Sequence, residues 1–223
     1  MKNDTSKYKT KTARSEKQFE RPHLENRMQL LGNRLEKFPI YEVEPEITEW
    51  ARHYADVFAA RFKNDTNDIR WKGSPRNNYI GMIGQKCFEI VLQQHDIPYV
   101  PNDPVIDWRE SKKYDFLIPL VGTIEVKTID CKENQTRLLI KCSEWHNSDY
   151  CVALKLQDAL PSKVWIMGYA EGKDVPKFHY AENTLPCPND PCYWEYLENL
   201  HPANEFIEML RTKTASLWNE QET

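Results

Sequence analysis

The hydrophobic pattern of this chain changes period close to residue 97, and no other feature constrains its fold as tightly. Before that point, Tyr79, Ile80, Ile83, Cys87, Ile90 and Val91 recur at three- and four-residue steps, the spacing of one helical face. After it, Thr123-Ile124-Glu125-Val126-Lys127-Thr128-Ile129 alternates apolar and polar side chains, the mark of a half-buried strand. Long helical faces followed by short alternating strands define an α/β chain.

The same reading places the other elements. A helix is predicted over 45–63, where Ile47, Trp50, Ala51, Tyr54, Val57, Phe58 and Phe62 line up. A second covers 77–95, with Asn77 or Asn78 as its N-cap, and ends at His95-Asp96-Ile97-Pro98 because proline cannot continue the ladder. Strands are predicted at 98–100, 114–118 and 123–129, the last two joined by a tight turn within Pro119 to Gly122. Leu138 to Ile140 would extend that sheet, and Ser143 would cap a short helical turn holding Trp145. Two more strands follow at 150–156 and 164–169, and an amphipathic helix at 202–218 carries Phe206, Ile207, Leu210 and Leu217. The expected organisation is a basic arm at 1–27, a helical extension at 28–76, a core at 77–170 and a C-terminal extension at 171–223 packed on the core.

Composition narrows the function. The chain has 223 residues and a formal net charge of −4, so it is not a uniformly basic nucleic-acid binder. Basic residues are concentrated locally: Lys2, Lys7, Lys9, Lys11, Arg14, Lys17, Arg21 and Arg27 lie in a segment with few apolar residues, read as a disordered arm. There is no apolar run of the roughly 18 residues a membrane span needs, and no signal-peptide core. The 6 cysteines do not have the spacing of a small secreted scaffold, so a reduced, cytoplasmic protein is expected.

The chemistry is concentrated at 115–127. Strand alternation sends Ile124 and Val126 to one face and Glu125 and Lys127 to the other. If the turn closes as a three-residue loop at 119–121, Asp115 lies opposite Glu125, with Cβ atoms roughly 4.5–5.5 Å apart. Two carboxylates that close repel unless a cation lies between them. A hard divalent ion such as Mg²⁺, or Mn²⁺ in its place, suits such oxygen donors, with the Val126 carbonyl as a further ligand. Such an ion lowers the pKa of a bound water and offsets phosphate charge. Lys127 would steady the attacking water or the transition state. Glu89, late in the preceding helix, would bind a second metal or orient a water.

The run Gly84-Gln85-Lys86-Cys87-Phe88-Glu89, then Tyr114-Asp115, then Glu125-Val126-Lys127, in the order helix, strand, strand, resembles the PD-(D/E)xK, or restriction-endonuclease-like, nuclease superfamily. The resemblance spans about 77–170 and departs from the motif at Tyr114, which stands in place of its proline. It implies a central mixed sheet flanked by helices, here with an extra N-terminal and C-terminal helix. It also implies Mg²⁺-dependent phosphodiester hydrolysis.

Other residues carry weaker expectations. Gln85 lies one helical turn before Glu89 and would bond it or reach a phosphate. Arg70, Lys72 and Arg76, with Trp71 among them, form a basic and aromatic loop suited to nucleic acid, and Lys112 and Lys113 precede the Asp115 strand. Cys187 and Cys192, with His179 and His201, would just suffice for a structural zinc, but their irregular spacing favours unliganded thiols. The leading expectation is a nuclease acting on DNA, with a homodimer if the substrate is a symmetric junction. The rivals are a non-catalytic nucleic-acid-binding module and a structural or partner-binding protein.

Overall fold

The computed structural model describes residues 38–62, 75–102, 114–130, 136–143, 145–157, 163–182 and 191–219. The basic arm at 1–27, Arg70, Lys72, Lys112, Lys113 and Cys187 lie outside them.

Most of the expected elements form. Helix α1 is Pro45–Phe62 and α2 is Pro75–Gln94. Because α2 starts at Pro75, Asn77 and Asn78 fall inside its first turn and neither is its cap; proline needs no N–H there and its φ already suits a helix. Strand β1 is Ile40–Glu42, β2 is Val100–Pro101, β3 is Phe116–Ile118 and β4 is Gly122–Ile129. Strand β5 is Arg137–Lys141, β6 is Tyr150–Leu156, β7 is Lys163–Glu171, β8 is His179–Ala181 and β9 is Cys192–Tyr196. Helix α3, Ala203–Asn219, follows.

Six strands form a mixed sheet in the order β1-β7-β6-β4-β3-β2. Its one parallel pair joins β4 to β6, and every other pairing is antiparallel. The chain is therefore α/β, with helices packed on a mixed sheet. One expectation fails here. Leu138 and Ile140 do not extend this sheet: β5 pairs with β9 in a separate sheet of order β5-β9-β8. Trp145 closes one helical turn, its N–H donating to the Lys141 carbonyl four residues back at 3.0 Å, and it is buried, with no regular helix following it among the described residues. Strands β1, β8 and β9 were not anticipated. The first and second of these have only three residues each, too few for alternation to register.

One apolar core holds the helices on the large sheet. Ile83, Phe88, Val91 and Leu92 of α2 pack with Ile124, Val126, Val152, Leu154 and Ile166 of the sheet. Helix α1 joins through Ile47 and Ala51, and α3 through Phe206 and Leu210. Phe206 stacks on Tyr169 at 4.6 Å and lies 6.5 Å from Phe88, so α2 and α3 share the same side of the sheet. By alternation, Glu125, Lys127, Cys151, Ala153, Gly168 and Ala170 belong to the opposite face.

Helix α2 approaches the sheet closely at Gly84. A Cβ there would lie 1.7 Å from Thr128 Oγ1 and 2.8 Å from Thr128 Cβ, so only glycine lets α2 settle against β4. Gly81, one turn earlier, faces open space. Gly84→Ala should cost about 1–3 kcal/mol by overpacking, whereas Gly81→Ala should be neutral or stabilising by up to about 1 kcal/mol. Urea unfolding of the two variants checks this; equal stabilities would contradict the packing of α2 on β4.

Candidate active site

Strand β3 leaves β4 at Asp115, and this departure shapes the site. The ladder runs from Ile118 opposite Gly122 to Phe116 opposite Ile124, with the turn at 119–121 as expected. It does not continue to a paired Asp115 and Glu125. Instead the Asp115 N–H donates to the Ile124 carbonyl at 2.9 Å. The Val126 N–H donates to Asp115 Oδ2 at 2.6 Å. The carboxylate thus takes a β4 donor that a longer β3 would have bonded through its backbone.

Asp115, Glu125 and Lys127 nevertheless come together. Lys127 Nζ lies 2.8 Å from Glu125 Oε1, both on the face of β4 away from the helices. The Asp115 carboxyl is pushed up to about 8, first by burial and then by the negative charge of Glu125. The Val126 N–H and the Lys127 ammonium pull in the other direction without cancelling it. Cys151, the β6 neighbour of Glu125, senses all three charged groups. Burial raises its thiol pKa, which keeps it a neutral thiol. Beside Glu125 stand Cys151 and then Ala170; beside Lys127 stand Ala153 and then Gly168. The row across β6 and β7 therefore holds only small side chains.

The remaining sequence-derived candidates lie elsewhere or serve other partners. Glu89 accepts from Lys86 Nζ at 2.5 Å and from the Tyr99 hydroxyl at 2.9 Å. Lys86 also lies over the Trp50 ring, 5.8 Å from its centroid. Among the described residues no three His, Cys, Asp or Glu side chains gather as a metal-binding group. Gln85 directs its Nε2 to the Asn102 carbonyl, at 3.1 Å, and not to Glu89. Arg76 forms a bidentate pair with Asp130 at the end of β4, with contacts of 2.8 and 3.2 Å. His179 stacks on Trp194 at 4.2 Å, and His201 lies against Tyr169 at 5.1 Å, so each is engaged with an aromatic ring.

Sequence reasoning missed Asp149. Its carboxylate accepts from the Thr123 N–H at 2.8 Å and from the Thr123 hydroxyl at 2.9 Å, and its own N–H donates back to that hydroxyl at 3.0 Å. Gly122 takes a φ of +125°, and a Cβ there would meet Asp149 Oδ2 at 2.3 Å. Asp149 thereby ties the start of β4 to the start of β6 and sets the height of Glu125 on the sheet. A polar residue immediately before a strand was its only sequence signal.

No protein-family model matches this chain, and no curated protein or solved structure proves similar to it.

The raised Asp115 pKa has a signed consequence. A carboxyl held above its ordinary value favours folding while it is protonated, and that contribution is lost as pH rises. In metal-free protein the loss should run from 3.8, the ordinary value, through about 8. Thermal unfolding between about pH 6 and pH 8 should show a falling Tm. Asp115→Asn, which still accepts the Val126 N–H, should flatten that slope. An equal slope in the two proteins would contradict the burial of this carboxyl beside Glu125.

Proposed function

We propose that the protein is a divalent-metal-dependent nuclease with Asp115, Glu125 and Lys127 at its centre. The observation that carries this reading is the carboxyl of half-buried Asp115, raised first by desolvation and then by the charge of Glu125, with an ammonium 2.8 Å from that second group. Two adjacent carboxylates of this kind are stable together only with a proton or a cation between them. Their donor chemistry suits Mg²⁺ or Mn²⁺, which prefer oxygen ligands.

Asp115 and Glu125 would hold the ion, with the Val126 carbonyl as a further oxygen donor. When bound, the ion would supply Lewis acidity and a water of lowered pKa. The Val126 N–H fixes the Asp115 carboxylate from behind, so its second oxygen is the one presented to a ligand. Lys127 would move its ammonium from Glu125 toward the scissile phosphate or the attacking water, because an ion would take over the neutralisation of Glu125. The residues at 151, 153, 168 and 170 are small, and Leu200 and His201 pack against Gly168 at the far end of that row. Nucleic acid, and DNA in particular, is the proposed substrate. The central mixed sheet with helices on one face and the order of Glu89, Asp115, Glu125 and Lys127 support a restriction-endonuclease-like core.

One observation favours a second reading. Glu89 is paired with Lys86 and Tyr99, and Glu125 is neutralised by Lys127, so the charges also balance without any ion. A non-catalytic nucleic-acid-binding protein, or a structural one, fits that balance. The readings separate in one assay on duplex, single-stranded and branched DNA and on RNA. The nuclease should cut at least one of them only with Mg²⁺ or Mn²⁺, and Lys127→Ala should lower the rate by at least about 100-fold while retaining binding. Metal-independent binding without cleavage, unchanged in Asp115→Ala, would favour the second reading.

A further inference from the structure

Gln85 is a partly buried residue of α2 whose side chain does not reach toward Glu89. Its Nε2 donates to the Asn102 carbonyl at 3.1 Å. Asn102 follows β2 directly, is only 9% exposed, and donates its own N–H to the Asp115 carbonyl at 2.8 Å. Asp115 in turn donates its N–H to the Ile124 carbonyl at 2.9 Å and accepts the Val126 N–H on its carboxylate at 2.6 Å. These contacts form one series from α2 through the end of β2 to the start of β3 and on to β4.

We propose that Gln85 is a positioning residue for Asp115, acting through Asn102 to hold the aspartate at the point where β3 separates from β4. The inference rests on the reading of Asp115 as a metal ligand. Asp115 precedes β3, so its place is set by these bonds at its two sides and not by a long ladder. Removing the Gln85 donor takes one hydrogen bond from the Asn102 carbonyl and loosens the outer of those two sides. The chemistry requires an amide donor at a fixed reach from a rigid helix, and an acid or a thioether of similar size cannot supply it. Partners bonded directly to a ligand commonly tune metal affinity by roughly 10- to 100-fold, and Gln85, two hydrogen bonds from Asp115, belongs at the lower end of that range.

The test uses the full chain with Gln85→Met and Gln85→Glu, two variants of similar length that both lose the donor. Amide hydrogen exchange would be read at Asp115 and Val126 and, for reference, at Val152 and Leu154 inside β6. Mn²⁺ binding would be followed by electron paramagnetic resonance. Both variants should exchange faster at Asp115 and Val126 with unchanged protection in β6, and should bind Mn²⁺ about 10-fold more weakly than wild type. Wild-type exchange and wild-type Mn²⁺ affinity in the variants would overturn the proposal, as would a uniform loss of protection that includes β6. Wild-type protein that takes up no Mn²⁺ would overturn it through the metal reading itself, a failure recognised because all three proteins would then be silent in the titration.

Discussion

The site depends on one hydrogen bond, from the Val126 N–H to the Asp115 carboxylate. A strand that stops pairing leaves its neighbour with unsatisfied donors, and a buried N–H without a partner costs about 1–3 kcal/mol. At Asp115 a side chain fills the place of the missing strand, so β3 can turn away without that penalty. The consequence is electrostatic. The carboxylate that satisfies Val126 is drawn into the protein beside Glu125, where its ionised form is disfavoured. Backbone satisfaction and charge burial pull against each other at this one residue, and a proton or a bound cation relieves the conflict.

The remainder of the fold keeps that conflict in place. Packing all three helices on one side of the large sheet leaves the charged residues of β4 to the other. Gly84 allows α2 to lie directly on Thr128, which fixes the depth of β4 from below. Asp149 fixes its start from the side of β6. Glu125 and Lys127 are thus set by contacts that involve neither of their charged ends. Rigidity of this sort is what a ligand-holding pair requires, since displacements of about 1 Å are costly at such sites.

Much of this was legible in the residues. The alternation in Thr123 to Ile129 placed Glu125 and Lys127 on one face, and the three-residue turn set the pairing of Phe116 with Ile124. Both follow from local rules of period and turn length. What local rules could not show was the end of the ladder. Whether Asp115 pairs with Glu125 or bends away depends on where the chain before it is held, and that is decided by Asn102 and by a glutamine on a distant helix. Likewise β5 carries alternating residues suited to either sheet, and only its pairing with β9 decides between them. Arg76 was legible as a basic residue ahead of a helix, but its engagement with Asp130 bridges 54 positions of sequence.

The central physical claim is that Asp115 and Glu125 share a divalent cation. Crystals soaked in Mn²⁺ and measured at the manganese absorption edge test it most directly. An anomalous peak about 2.1–2.2 Å from a carboxylate oxygen of each residue is the predicted result, within the usual range for such hard oxygen-ligated ions. Well-ordered crystals in which manganese binds elsewhere, or in which Lys127 remains against Glu125 with no peak between the carboxylates, would contradict it.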